Sequence, residues 1–140
     1  MPVTIIFSRS ETFQSYVKFL LERDSAVIEV SDDDACLAAL KAHADAALIL
    51  DVHSKMPAFT CDSLSFLDTM AQKGFGNTRV ILLTWLTVRY IFKATNHSPF
   101  SSSRLSTLYR DRIYFFRRLP VPRIELLHLL GLGGNNMQTQ

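Results

Sequence analysis

The chain has 140 residues, of which 48% are hydrophobic and 20% are charged. This composition indicates one globular domain that can fold alone, and it excludes a largely disordered chain. The longest apolar run is far shorter than the roughly 20 residues that cross a bilayer, and the N-terminus lacks the basic start of a signal peptide. We therefore expect no membrane partner and a cytoplasmic location. The two cysteines, Cys36 and Cys61, are too few for a disulfide framework and have no partner at metal-ligand spacing.

The net charge of +2 hides two regions of opposite sign. Residues 1–78 hold 6 Lys/Arg and 11 Asp/Glu, whereas residues 79–123 hold 9 Lys/Arg and 1 Asp/Glu. If the two regions stay separate in the folded protein, the second one presents a positive surface. Such a surface attracts phosphate groups or an acidic partner.

Short apolar runs alternate with helical periodicity along the chain. The predicted strands are Val3–Phe7, Ala26–Val30, 46–50, 79–84 and 113–116. Ser8 and Glu11, at capping-box spacing, predict the start of the first helix, and the last helix is predicted over 122–130, ending at Gly131. This alternation predicts an α/β fold with a five-stranded parallel sheet between two helical layers and right-handed crossovers.

Three segments resemble the receiver domain of bacterial response regulators. Ala-Leu-Ile-Leu-Asp-Val-His at 47–53 is similar to the strand with the phospho-accepting aspartate, which is Asp51 here. Val-Ile-Leu-Leu-Thr at 80–84 is similar to the strand that ends in the switch hydroxyl, Thr84 here, and Leu-Pro-Val-Pro-Arg-Ile-Glu-Leu-Leu at 119–127 is similar to the segment entering the last helix. The resemblance covers about residues 3–130 and implies a flavodoxin-like (βα)5 fold with strand order 2-1-3-4-5.

The chain departs from the receiver pattern where the family does its chemistry. The resemblance implies two acidic residues after the first strand, which hold Mg²⁺ together with the acceptor aspartate, but these positions are Ser8 and Arg9 here. The position of the phosphate-contacting lysine is Leu119. Because Mg²⁺ needs several oxygen ligands, we expect its binding to be weak or absent, and we expect no other cofactor.

Two interpretations of Asp51 remain open at this stage. Asp51 either stabilises the loop after its strand as a chemically idle residue, or it pairs with Arg9 and then mimics a fixed state of the switch or accepts phosphate inefficiently. Both predict poor phosphorylation. His53 could supply a base beside the carboxylate, but no second aspartate or later lysine of an aspartate-nucleophile enzyme is evident, so no enzymatic activity is predicted.

The segment between Thr84 and Leu119 is longer than the resembling family usually has, and it is basic and aromatic around residues 88–100. Its aromatic residues either pack in the core or, as an alternative function, form a sensing site for an anionic nucleotide or nucleic acid. The candidate anion contacts are Arg89, Arg117 and Arg118, with Trp85 as a stacking platform. Direct binding of nucleic acid by this domain alone is not expected.

The sequence as a whole predicts an atypical receiver domain, over residues 1–130, of a bacterial signalling or transcriptional regulator. It is predicted to act by protein contacts, as a homodimer or by docking an output domain, without normal Mg²⁺-dependent phosphorylation. The candidate interface contains Arg104, Tyr109, Arg110 and Arg112, whose charge favours an acidic neighbour. Residues 131–140 have the composition of a flexible tail or of a linker to an output domain.

Overall fold

The computed structural model describes residues 1–51, 62–75, 77–84 and 114–132. The strands are β1 (Val3–Phe7), β2 (Ala26–Val30), β3 (Ala47–Asp51), β4 (Val80–Thr84) and β5 (Tyr114–Arg118). The helices, numbered in chain order over these residues, are α1 (Glu11–Leu21), α2 (Asp33–Ala42), α3 (Asp62–Gln72) and α4 (Arg123–Leu129). Within these ranges, every helix is too short or too polar to cross a membrane.

The five strands form one sheet in the order β2-β1-β3-β4-β5, and every neighbouring pair is parallel. This confirms the predicted fold class and strand order. The last strand was predicted over 113–116 but runs from Tyr114 to Arg118. Arg117 and Arg118 continue the ladder because their backbones pair with Leu83 and Thr84, and backbone pairing does not depend on side-chain charge.

Buried side chains alternate between the two faces of the sheet, as expected for strands covered by helices on both sides. Ile5 and Leu48 belong to one core cluster and the adjacent Ile6 and Ile49 to the other. The first cluster includes residues of α2 and α3, and its rings Phe7 and Phe66 meet edge to face at 5.0 Å. The second cluster joins the sheet to α1 and α4, through Phe13, Val17, Leu21, Leu126 and Leu127.

The start of α1 differs from the predicted capping box. Ser10 is the N-cap residue, and its Oγ accepts a hydrogen bond from the Phe13 amide at 3.2 Å. Ser8 is instead buried at the end of β1, where its amide donates to the Val30 carbonyl. The chain therefore makes one more ladder bond than predicted before it turns into the helix, and this frees the Ser8 side chain for another contact.

Candidate functional site

The parallel order brings the carboxyl ends of β1, β3 and β4 to one edge of the sheet, where ligand sites of open α/β folds are found. Phe7 pairs with Leu50, so the next residues, Ser8 and Asp51, follow in register. Asp51 in turn pairs with Leu83, one residue before Thr84. The structure thus places Asp51, Ser8 and the backbone of Thr84 at the same edge of the sheet.

A short hydrogen bond joins Ser8 and Asp51. Ser8 Oγ donates to Asp51 Oδ2 at 2.6 Å, and both residues are buried, with 3% and 4% of their surfaces exposed. Ser8 Oγ also accepts a hydrogen bond from the Ser10 amide at 2.9 Å. A hydroxyl has one proton, so this arrangement commits the Ser8 proton to the carboxylate and a lone pair to the loop. Burying a carboxylate is costly, and such bonds offset part of that cost.

Gln14, on the first turns of α1, holds the Ser8 backbone in place. Its side-chain amide donates to the Ser8 carbonyl at 2.9 Å and to the Val30 carbonyl at 3.0 Å. The connection between β1 and α1 is therefore tied to the end of β2. Sequence reasoning missed this residue, because a glutamine near a helix start usually faces solvent. The available signal was its position four residues after Ser10, where a helical side chain can reach back to the turn.

Arg9 lies away from the carboxylate. It is exposed, and its Nε donates to the Ser31 carbonyl at 3.4 Å. The interpretation in which Arg9 pairs with Asp51 is therefore wrong. The physical reason is alternation: Ser8 continues the strand and turns its side chain toward Asp51, so the following residue projects away from that position.

Leu119 occupies the predicted position of the degenerate lysine, directly before Pro120. Its side chain is 3% exposed and belongs to the apolar cluster under α1 and α4. An aliphatic side chain in that cluster offers no charge to a phosphoryl group. β5 ends just before it, with the backbone of Arg118 beside that of Thr84 and the backbone of Arg117 beside that of Leu83.

Of the side chains described at the ends of β1, β3 and β4, Asp51 alone carries a carboxylate for the Mg²⁺ ion that the resemblance implies, so these residues fit that ion poorly. Mg²⁺ prefers near-octahedral oxygen coordination with one or two carboxylates. Asp51 Oδ2 is hydrogen-bonded to Ser8, and neither Ser8 nor the exposed Arg9 supplies a second carboxylate. Over the described ranges, no three His, Cys, Asp or Glu side chains are grouped as a metal site.

Several predicted residues lie outside the described part of the chain. They are Trp85 and Arg89 of the nucleotide alternative, His53, and the interface residues Arg104, Tyr109, Arg110 and Arg112. The nucleotide alternative and the basic interface stay predictions.

No protein-family model matches the sequence, and no curated protein matches it. Among solved structures, the chain is similar to a response regulator receiver domain protein from Clostridium thermocellum, with 19% identity, a TM-score of 0.65 and coverage of 99% of this chain and 98% of that one. Chemotaxis protein CheY4 from Vibrio cholerae gives 19% identity, a TM-score of 0.65 and coverage of 94% and 97%. The signal receiver domain of a modulated diguanylate cyclase from Desulfovibrio desulfuricans G20 gives 12% identity, a TM-score of 0.66 and coverage of 100% and 99%. The fold is thus the fold of response regulator receiver domains.

Proposed function

We propose that this chain is a receiver-type signalling module that works through protein contacts and does not use ordinary Mg²⁺-dependent phosphorylation of Asp51. The observation that carries the proposal is the buried 2.6 Å hydrogen bond from Ser8 Oγ to Asp51 Oδ2. It places a neutral hydroxyl against the carboxylate at a position where the resembling family has a metal-binding acid.

Three changes act together against phosphotransfer. Ser8 and Arg9 remove two negative charges from the position of the metal, and Leu119 removes the positive charge that would contact the phosphoryl group. A phosphoryl donor is an anion, and its approach to a buried carboxylate is unfavourable unless nearby cations neutralise the charge. Arg9 does not replace them at the carboxylate, since its guanidinium is directed to the Ser31 carbonyl.

In this proposal Asp51 has a structural role. Its carboxylate accepts a hydrogen bond from the Ser8 hydroxyl, so it ties the end of β1 to the end of β3. Gln14 ties the same turn to β2 through the Val30 carbonyl. The carboxyl edge of the sheet is then held in one arrangement, which suits a scaffold better than a two-state switch.

The partner we propose is a protein, either an output domain or another component of a signalling complex. The charge imbalance supports it, because 9 Lys/Arg against 1 Asp/Glu in residues 79–123 favours an acidic neighbour. The structural likeness to the receiver domain of a diguanylate cyclase supports an output domain as the class of partner. Transcriptional regulation is the output that we propose, and no enzymatic activity is assigned to the chain itself.

The test is intact-mass measurement after incubation with acetyl phosphate and Mg²⁺. The wild type should gain no phosphoryl group, whereas a Ser8→Asp/Arg9→Asp variant, with both carboxylates restored, should gain one that depends on Mg²⁺. The control is the same double substitution combined with Asp51→Asn, which should stay unmodified. Phosphorylation of the wild type that disappears with Asp51→Asn would refute the proposal.

A further inference from the structure

β2 is the end strand of the sheet, with β1 as its neighbour. Its first residue, Ala26, donates its amide to the carbonyl just before β1 at 2.8 Å, and its last residue, Val30, accepts from the amide just after β1 at 3.1 Å. Successive residues of a strand direct their backbone groups to alternate sides, so Val27 and Glu29 direct theirs away from β1. Within the described part of the chain, no strand pairs with them. These outward N–H and C=O groups, called the β2 edge below, can pair with an added strand.

Half-buried apolar side chains lie on both faces of this strand. Val27 packs against the core cluster under α1 and α4, and Ile28 packs against the cluster under α2 and α3. Each keeps part of its surface exposed. The side chains of an added strand would stand beside Val27 on one face and beside Ile28 on the other, as cross-strand neighbours do. Docking at the β2 edge would therefore remove apolar surface from water in addition to pairing the backbone groups.

The charges around the β2 edge are mostly negative. Four exposed carboxylates lie on the strand or shortly after it, at Glu29, Asp32, Asp33 and Asp34. Two cations lie near them, because Lys18 Nζ is 3.6 Å from Glu29 Oε1 and Arg9 Nε donates to the Ser31 carbonyl. The remaining negative charge attracts a basic segment. A second copy of the chain would bring the same carboxylates to the contact, so edge-to-edge pairing of two copies is disfavoured.

We propose that the β2 edge is a docking site for a basic, extended segment of a partner protein, which adds to the sheet as a further strand. The backbone of that segment pairs with the outward groups of Val27 and Glu29, and this pairing supplies the affinity. Its Lys or Arg side chains meet Glu29 and the aspartates that follow β2, and these contacts supply the selectivity. Lys18 leaves Glu29 at little cost, since exposed ion pairs contribute little to stability. The site is separate from the basic 79–123 region and does not depend on the chemistry at Asp51.

Fluorescence anisotropy of the full chain with a labelled peptide tests the charge of the partner. The probe is a fluorescein-labelled peptide in which Lys and Val alternate, and the control peptide has Glu in place of every Lys. A few hydrogen bonds and a small contact area give weak affinity, so the protein is titrated from about 10 µM to about 1 mM. The Lys peptide should bind, and more weakly as salt is added. The Glu peptide should not bind.

Charge reversal at the β2 edge gives a matched comparison. Glu29→Lys replaces an attraction by a repulsion and should weaken binding of the Lys peptide at least about fivefold at low salt. The control is Asp45→Lys, in the turn before β3 at the opposite edge of the sheet, which should change binding by less than about twofold because salt screens distant charges. Both positions are exposed, so both variants should keep the wild-type circular dichroism spectrum.

Amide hydrogen exchange, measured residue by residue by NMR, tests strand addition itself. In the free protein the Val27 and Glu29 amides should exchange fast, whereas the Ile28 amide, which faces β1, should exchange slowly. Saturation with the Lys peptide should slow Val27 and Glu29 at least about tenfold and leave Ile28 unchanged. Peptide binding that leaves these two amides unchanged overturns the proposal. So does the absence of binding, equal binding of the Glu peptide, or a Glu29→Lys variant that binds as tightly as the wild type. Protection of both amides that rises with the concentration of the free protein would assign the edge to a second copy and would overturn it too.

Discussion

The contribution of the Ser8–Asp51 hydrogen bond can be measured by a double-mutant cycle. Ser8→Ala removes the hydroxyl that donates to Asp51 Oδ2 at 2.6 Å and accepts from the Ser10 amide at 2.9 Å. A hydrogen bond to a charged group contributes about 1.5–3 kcal/mol, and here the acceptor is buried. We expect Ser8→Ala to lower the free energy of unfolding by about 2 kcal/mol. That is a large part of the roughly 5–15 kcal/mol typical of a domain.

The second arm of the cycle repeats Ser8→Ala in an Asp51→Asn background. An amide is nearly the same size as the carboxylate but neutral, and a neutral hydrogen bond is about half as strong as a charged one. The loss should therefore fall to about 1 kcal/mol, a coupling of about 1 kcal/mol. The assay is urea unfolding at neutral pH followed by circular dichroism. Ser15→Ala, at an exposed position of α1, is the control and should not destabilise the protein. Equal losses in both backgrounds would refute a charge-assisted bond.

Two further predictions concern residues outside that pair. Gln14→Leu should lower the free energy of unfolding by about 1–2 kcal/mol, because two hydrogen bonds to backbone carbonyls are lost. Gln14→Glu should lower it further, because a carboxylate cannot donate to those carbonyls. Urea unfolding compares the two variants with the wild type. Burial, followed by the charges of Asp33 and Asp32, raises the pKa of the Cys36 thiol from 9.0 to about 12. In a Cys61→Ser variant, alkylation of Cys36 in the folded protein at pH 8 should therefore be very slow and should accelerate as pH rises. The stability that the buried neutral thiol contributes is present below about pH 9 and is lost as pH rises toward 12. Fast alkylation of the folded variant at pH 8 would contradict the buried thiol.

The sequence predicted the sheet better than it predicted the contacts at its edge. Continuous apolar runs such as the one before Asp51 determine which segments are buried between two helical layers, and this fixes strand order and register within narrow limits. The position of Ser8 beside Asp51 followed from the same alignment of strands. The direction of Arg9 did not, because it depends on Ser8 continuing the strand, and the charge of Arg9 alone suggested the carboxylate. The selection of Ser10 over Ser8 as the helix cap depended on one extra ladder bond, which local sequence does not specify.

The hydrogen bonds at the carboxyl edge of the sheet fix one end of α1. Ser8 lies just before the Ser10 cap of α1, and Phe19 lies near the other end of the helix, on its exposed side. Moving one end relative to the sheet would move the other, because α1 packs as a rigid unit on the core through Phe13, Val17 and Leu21. Close-packed cores resist such shifts, since each displaced side chain loses contacts on one side. Ser8 and Gln14 anchor the N-terminal end of this helix to β1, β2 and β3, so these bonds hold α1 in one position on the sheet. A carboxyl edge held in one arrangement is what the proposed scaffold role requires.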